Sequence, residues 1–243
     1  MNRNLLILCF VVLFVGCDQT TFRRYDYAVH GIDASHYQSF IDWGAVAEQG
    51  IHFAFVKATE GATHSDSLFC YHWSEMERTG IKRGAYHFYR PTVSAEKQAE
   101  NFSRLVEMQY GDLPPVLDVE TLEGVSKIDL INGMRTWLYL IEIRYSIKPI
   151  IYTNLKFYNK ILAGHFDDYP LWIARYGLRE PILASGHNWH FWQYGDRGRL
   201  KGINGDVDFN VFNGTHLDLE RLCLAPNSSV ILSEYARQNQ VGD

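Results

Sequence analysis

The sequence lacks the common patterns of metal, redox and nucleic-acid sites. Its four cysteines include no C-x-x-C pair, and its ten histidines form no H-E-x-x-H motif. The early histidines are interpreted as ordinary surface or core side chains: His30, His36, His52, His64 and His72. No long run of lysine or arginine occurs, and the net charge is −5. We therefore expect no metal ion, no other cofactor and no nucleic-acid partner.

The first 17 residues predict a signal peptide rather than a membrane-spanning helix. Arg3 gives a short positive start, and the apolar stretch from Leu5 to Val15 is too short to cross a bilayer. Its end, Leu13-Phe-Val-Gly-Cys17, is similar to a lipobox, whose cysteine becomes the lipidated first residue of a bacterial lipoprotein. An ordinary cleaved signal peptide is the alternative. The prediction is an exported, cell-envelope protein that is anchored to a membrane through Cys17, with residues 18–28 as a tether.

Two cysteines, Cys70 and Cys223, remain outside the predicted signal peptide. An exported protein permits a disulfide between them. Two buried free thiols fit the sequence equally well, because the sequence does not give their separation. Both alternatives stay open at this point.

Length and hydrophobic content favour one barrel-sized domain. The chain has 243 residues, of which 47% are hydrophobic, enough to bury a sizeable core. From residue 29, strand-length apolar runs alternate with helix-length stretches, without a visible repeat or linker. Eight strands are predicted, at 30–33, 52–58, 83–89, 115–120, 149–154, 171–175, 190–194 and 207–212. Five helices are predicted. Three cover residues 40–50, 66–80 and 126–145, one begins at residue 94, and one ends at residue 164.

This alternation predicts an α/β fold with a mostly parallel sheet. Eight strands favour closure into a TIM-like barrel, here modified to five β/α units followed by three further strands. The predicted catalytic barrel covers residues 29–224, and residues 225–243 are interpreted as a polar C-terminal tail.

Two carboxylates end the fourth predicted strand, Pro115-Val-Leu-Asp-Val-Glu120. Side chains at positions i and i+2 of a strand point to the same face, so Asp118 and Glu120 are expected side by side. Two close like charges drive one pKa up, which yields a proton donor beside an anion. Glycosidic bond cleavage needs that pair. A lone D-x-E pair is more often two solvated acids, so the residues around it must distinguish a catalytic pair from a solvated one.

Acids and aromatic residues recur at the other predicted strand ends. In a parallel barrel the active site forms where the carboxyl ends of the strands meet. The residues at these ends include Asp33, His87, Tyr89, Tyr152, Asn154, Arg175, Gln193 and Tyr194, with Asp208 and Asn210 in the last strand. Carboxylates for chemistry and flat aromatic rings for sugar faces are typical of a sugar-binding cleft.

Eight segments in order between residues 29 and 213 carry a family resemblance. They are His30-Gly-Ile-Asp-Ala-Ser35, Phe55-Val-Lys-Ala-Thr-Glu60, Gly84-Ala-Tyr-His-Phe-Tyr89, Pro115-Val-Leu-Asp-Val-Glu120, Ile151-Tyr-Thr-Asn154, Leu171-Trp-Ile-Ala-Arg-Tyr176, Trp192-Gln-Tyr194 and Val207-Asp-Phe-Asn210. Together they resemble glycoside hydrolase family 25, the Chalaropsis-type lysozymes or N-acetylmuramidases. The resemblance implies the same modified barrel. It also implies cleavage of the β-1,4 bond between N-acetylmuramic acid and N-acetylglucosamine in peptidoglycan.

The resemblance further implies roles for individual residues. Glu120 matches the general acid, Asp118 the acid beside it, and Asp33 and Asp208 the other two acids of the cleft. The residues expected to bind substrate are Tyr86, Tyr152, Trp172, Trp192 and Asn154. Asp33 and Asp208 could instead be structural and hold Lys57 or Arg175, and Glu60 is interpreted as a loop acid.

The expected mechanism is substrate-assisted and retaining. Glu120 would carry the proton because Asp118 and a partly desolvated cleft mouth raise its pKa, and Asp118 would orient the 2-acetamido group of the substrate. Inversion through a water molecule held by Asp33 or Asp208 is the rival. A catalytically silent glycan-binding module and a chitinase-like glycosidase are the alternative functions. The expected partner is the peptidoglycan glycan strand, and the protein is expected to be monomeric.

Overall fold

A computed structural model describes residues 21–226. The predicted signal peptide, the lipidation site Cys17 and residues 227–243 of the predicted tail lie outside the described residues. The strands are β1 Val29–Ala34, β2 Phe53–Glu60, β3 His64–Ser65, β4 Lys82–Phe88, β5 Val116–Asp118, β6 Ile150–Asn154, β7 Leu171–Ala174, β8 Phe191–Gly198 and β9 Val207–Phe212. The helices are α1 Trp43–Ala47, α2 Phe69–Thr79, α3 Ala95–Leu105, α4 Lys127–Tyr145, α5 Leu155–Phe157 and α6 His216–Leu222.

Eight of these strands close into a barrel, as predicted. The neighbours run β1-β9-β8-β7-β6-β5-β4-β2, and β2 pairs with β1 to complete the ring. The pairs from β1–β2 through β7–β8 are parallel, whereas β9 lies antiparallel to both β8 and β1. Five β/α units precede the last three barrel strands. The extra strand β3 pairs only with the end of β2, in a stretch predicted as loop.

Local signals set most helix boundaries. Ser94 and Ser126 cap α3 and α4 by accepting hydrogen bonds from the backbone N–H groups three residues later. Gly80 ends α2 in the left-handed conformation, at φ 74°. Helix α1 is shorter than predicted, because Asp42 caps it at Trp43 and it ends at Ala47. Within residues 21–226, no helix is both long enough and apolar enough to cross a membrane.

The barrel interior is filled by aromatic rings below the carboxyl ends of the strands. We define the aromatic floor as Phe53, Phe55, Phe191 and Phe212. Two glycines make room for it on the neighbouring strands. A Cβ atom on Gly31 would lie 2.3 Å from the Phe53 ring, and one on Gly84 would lie 2.4 Å from the Phe55 ring. A side chain at either glycine would therefore displace the floor.

A second core lies between the barrel and its helices. Alternate strand residues such as Ile32, Val56 and Leu117 face it, and they are fully buried. Helix α6 was not predicted. Its Leu219, and the buried Cys223 that follows it, belong to the same buried cluster as the aromatic floor. Both cysteines of the described chain are free, which excludes the Cys70–Cys223 disulfide in this structure. Cys70 is exposed, so the alternative of two buried thiols is right only for Cys223.

Candidate active site

A cavity of ≈ 290 Å³ opens at the carboxyl ends of the barrel strands. Its lining residues are Asp33, Ser35, Tyr37, Lys57, Tyr86, Phe88, Asp118, Glu120, Tyr152, Trp172, Tyr176, Gln193 and Asp208. The structure thus brings together all four predicted acids and three of the five predicted sugar-binding residues. Asn154 lies in an adjoining cavity of ≈ 330 Å³, which also contains Glu120 and Tyr176.

A larger cavity of ≈ 890 Å³ lies at the amino ends of the strands, around Tyr145 and Cys223. It contains one acid, Glu107, and no acid pair. Within residues 21–226, no group of three or more His, Cys, Asp or Glu side chains is arranged to hold a metal ion. The smaller cavity is therefore the one equipped for acid–base chemistry.

Asp118 and Glu120 project into the same cavity, as the strand periodicity predicts. Val119 between them faces the outer core and is fully buried. The backbone ladder continues past the end of β5, because the Val119 N–H donates to the Tyr152 carbonyl at 2.9 Å. Asp118 is buried, with 6% of its surface exposed, whereas Glu120 is exposed to solvent.

Burial raises the pKa values of both Asp118 and Glu120. The pKa of Glu120 lies above its ordinary value because the carboxyl is partly desolvated, as expected, whereas its contact with Asp118 acts in the opposite direction. Burial, with the nearby charges of Glu120 and Asp33, raises the pKa of Asp118 well above its ordinary value. The rise at Glu120 thus comes from burial rather than from Asp118, to which the sequence also assigned it. Two adjacent carboxyls with raised pKa values favour a state in which the pair holds one proton.

The other two acids are connected by one amide. Gln193 Nε2 donates to Asp33 Oδ2 at 2.9 Å and to Asp208 Oδ2 at 3.0 Å. Asn210 Nδ2 donates a second hydrogen bond to Asp33 Oδ2, at 2.7 Å. Gln193 and Asn210 are 2% and 0% exposed. Together these amides hold Asp33 and Asp208 in fixed positions at the cavity wall.

Two aromatic donors fix the orientation of those amides. Tyr152 Oη donates to Gln193 Oε1 at 2.8 Å, and Trp172 Nε1 donates to Asn210 Oδ1 at 2.8 Å. A hydroxyl can accept as well as donate, but an indole N–H only donates, so Trp172 requires the amide oxygen of Asn210. The Asn210 N–H group then points at Asp33, and Gln193, with its oxygen on the Tyr152 hydroxyl, presents its N–H group to Asp33 and Asp208. We call Tyr152, Trp172, Gln193 and Asn210 the amide clamp.

The amide clamp separates the protonation states of Asp33 and Asp208. Burial raises both pKa values, but the N–H groups of Asn210 and Gln193 counteract this at Asp33. The negative charge of Asp33 raises the pKa of Asp208 further. The site therefore favours the ionised form at Asp33 more than at Asp208.

The basic residues suggested as structural partners of Asp33 and Asp208 bind elsewhere. Lys57 Nζ lies 2.6 Å from Glu60 Oε2, and Arg175 donates to the carbonyl of Glu180. Glu60 itself belongs to the end of β2 rather than to a loop, and it also pairs with Arg90. Lys57 still lines the cavity and lowers the pKa of Asp118.

Trp192 does not line the cavity. It is fully buried on the outer side of β8, where its Nε1 donates to the Arg175 carbonyl at 2.7 Å. Neighbouring strand residues face opposite sides, and Gln193 occupies the inner side. The expected contact of Trp192 with substrate is therefore corrected to a role in the outer core.

The cavity also contains residues outside the predicted site, notably Lys57, Tyr176 and Gln193. For two of them a signal was available. Lys57 lies two residues after the inward-facing Phe55, and Gln193 was recognised as a strand-end residue but given no role. Tyr37 comes from the 3-10 turn His36–Gln38, which the sequence pattern did not indicate.

Comparison with known proteins identifies similar chains. The family "Glycosyl hydrolases family 25" matches residues 32–203. Lysozyme M1 of Streptomyces globisporus is 38% identical over 232 residues, covering 89% of this chain and 78% of its own. The Escherichia coli K12 protein YegX is 46% identical over 199 residues, covering 80% of this chain and 73% of its own. A solved family 25 glycosyl hydrolase from Bacillus anthracis superposes with a TM-score of 0.79 at 32% identity, covering 84% and 97% of the two chains.

Proposed function

The chain belongs to glycosyl hydrolases family 25, and we propose that it is a muramidase. It hydrolyses the β-1,4 bond between N-acetylmuramic acid and N-acetylglucosamine in peptidoglycan. The observation that carries the proposal is the pairing of Asp118 and Glu120 in one cavity of a family 25 barrel. A relative that is 38% identical is named a lysozyme, which fits the same substrate.

Glu120 is the proposed general acid. It is exposed to the cleft and lines both the ≈ 290 Å³ cavity and the adjoining ≈ 330 Å³ cavity. An acid at the junction of two cavities can protonate the oxygen between the sugars that occupy them. Burial raises the pKa of Glu120, which favours the protonated form that donation requires.

Asp118 is the proposed partner of the substrate's acetamido group. Its Oδ1 atom is buried and has no hydrogen-bond partner within the described part of the chain. An amide N–H donated to Asp118 favours its anionic form, and the proton then moves to the neighbouring Glu120. Substrate binding would thereby create the proton donor and the anion that stabilises the developing positive charge.

Asp33 is the second proposed anion. The N–H groups of the amide clamp favour its ionised form, which can stabilise positive charge on the sugar during cleavage. In the rival mechanism Asp33 or Asp208 holds an attacking water molecule and the configuration inverts. The unpartnered Asp118 oxygen favours the substrate-assisted, retaining route.

Activity is tested by digesting purified peptidoglycan and identifying the new reducing ends by mass spectrometry. N-acetylmuramic acid at the new reducing ends is the expected result. The variant Glu120→Gln keeps its shape and hydrogen-bonding capacity but cannot donate an acidic proton, so we expect activity to fall by about 10²–10⁴-fold. Binding without cleavage by the wild-type protein would instead indicate a silent glycan-binding module, and release of sugars from chitin would indicate a chitinase-like enzyme.

The retaining route is tested by the anomeric form of the first product. NMR at early turnover should show a β product from the β linkage, because two inversions restore the configuration. An initial α product would establish inversion and would remove the substrate-assisted proposal.

We also propose that the protein acts outside the cytoplasm as a lipid-anchored envelope protein. Peptidoglycan lies outside the inner membrane, and the lipobox-like end at Cys17 supports anchoring. Metabolic labelling with a fatty acid should mark the wild-type protein and leave Cys17→Ala unlabelled. Equal labelling of both proteins would contradict the anchor.

A further inference from the structure

A third cavity, of ≈ 440 Å³, continues the cleft beyond the catalytic acids. Tyr176 lines this cavity and both cavities that Glu120 joins, so the three spaces meet at one aromatic side chain. Tyr176 is 54% exposed. Two parts of the chain line this cavity: the segment with Thr21, Phe22 and Arg24, and barrel residues that include Tyr176, Leu178 and Arg197.

The Thr21–Arg24 side is fixed to the barrel by specific contacts. The Thr21 N–H donates to the Arg197 carbonyl at 2.9 Å, and the Arg197 N–H donates back to Thr21 Oγ1 at 3.3 Å. Gly195 permits this approach, because a Cβ atom there would lie 2.3 Å from Thr21 Cγ2. Residues from 21 onward, assigned to a tether by the sequence, therefore pack against β8.

Arg24 fastens the other end of this segment. Its guanidinium lies 4.6 Å from the centre of the Trp192 ring and donates to the Leu178 carbonyl at 2.6 Å. The family match covers residues 32–203, so residues 21–24 of the cavity lining precede it, whereas the other lining residues lie within it. The cavity therefore combines residues of the family barrel with a segment that packs against them.

We propose that this third cavity binds a further N-acetylated sugar of the same glycan strand, next to the two sugars joined by the cleaved bond. The inference rests on the proposed muramidase function. Phe22 and Leu178 line the cavity and are 84% and 86% exposed, so their apolar surfaces are available to the apolar face of a sugar ring.

The charges around the cavity favour a neutral sugar over a charged stem peptide. Arg24 is paired with Asp26, and Arg197 is next to Asp196 in the cavity wall. These four charges sum to zero, so the cavity offers no net attraction to the acidic groups of a stem peptide. Backbone and hydroxyl groups of the Thr21 segment and β8 can bind sugar hydroxyls and acetamido groups.

The test measures kcat/KM on peptide-free glycan oligosaccharides of increasing length, from the disaccharide to the octasaccharide. The double variant Phe22→Ser/Leu178→Ser removes both exposed apolar contacts and leaves the proposed catalytic residues intact. We expect unchanged turnover of the disaccharide and about three- to tenfold lower kcat/KM on the long oligosaccharides. This factor corresponds to the loss of one contact between a side chain and a sugar ring. The matched control is Phe40→Ser/Ile182→Ser, at residues that are 66% and 79% exposed and do not line the cavity.

The possible outcomes separate this inference from the proposed function. The same length dependence in wild type and variant would overturn the further sugar site, as would a loss that is equal at every length or shared by the control. A loss seen only on fragments that carry stem peptides would assign the cavity to the peptide instead. If the wild-type protein cleaves no oligosaccharide and no peptidoglycan, the muramidase proposal itself fails.

Discussion

Replacing Gln193 by methionine tests how the amide clamp controls the proposed chemistry. Methionine is close to glutamine in size and fits a buried site, but it has no N–H group to donate to Asp33 or Asp208. Asp33 then retains only the hydrogen bond from Asn210, at 2.7 Å. Because the lost donor stabilised the anion of Asp33, its pKa must rise.

The size of this change follows from the hydrogen bond removed. A hydrogen bond to a charged group contributes about 1.5–3 kcal/mol, and one pH unit corresponds to about 1.4 kcal/mol. We therefore expect the pKa of Asp33 to rise by about one to two pH units. If cleavage requires the Asp33 anion, the acidic limb of the activity profile moves to higher pH by the same amount. Activity on that limb falls by about 10- to 100-fold and recovers towards alkaline pH.

The assay is the pH dependence of kcat/KM on soluble glycan fragments, which reports the ionisations of the free enzyme. Gln98→Met is the matched control, because Gln98 is also a fully buried amide but binds His87 and Arg90 away from the acids. It should lower stability without moving the acidic limb. A uniform loss of activity in Gln193→Met at all pH values, or a limb moved to lower pH, would refute this account of Asp33.

Three further outcomes are expected. Asp208→Asn should stabilise the protein more at pH 9 than at pH 5. The folded-state pKa of Asp208 is raised, so the stability that its protonated carboxyl contributes is present at low pH and is lost as the pH rises through that pKa. Asparagine does not ionise and avoids this loss. A difference of at least about 1 kcal/mol, or ~3 °C in Tm, is expected, and equal shifts at both pH values would contradict it. Gly84→Ala should cost about 1–3 kcal/mol in urea unfolding, because its methyl group would overlap the Phe55 ring; an unchanged midpoint would oppose the packing argument. Trp192→Phe should lose stability with its hydrogen bond to Arg175 but keep kcat/KM within about twofold, and a selective rise in KM would return Trp192 to the cleft.

The sequence predicted the barrel well because its signals are local and repeated. Strand-length apolar runs separated by helices define five β/α units, and Ser94 and Ser126 cap their helices as their positions suggest. The direction of β9 was not predicted, since an apolar run does not encode which way it pairs. Helix α6 has a local signal in the sequence, the capping box of Thr215 and Asp218.

The candidate site was predicted as a set of acids but not as an electrostatic arrangement. Strand periodicity is sufficient to place Asp118 and Glu120 together. How far each pKa is raised depends on burial, and burial is set by distant strands that only the fold brings together. The same periodicity, applied to β8, separates the roles of Trp192 and Gln193, because adjacent residues cannot both face inward.

The aromatic floor determines how reactants reach the acids. Phe53, Phe55, Phe191 and Phe212 close the barrel from below, so water and sugar must approach the acids from the strand-end side. The cavities on that side meet at Glu120 and Tyr176. The acids therefore rest on a packed base, and a glycan strand reaches them by lying across the strand ends instead of passing through the barrel.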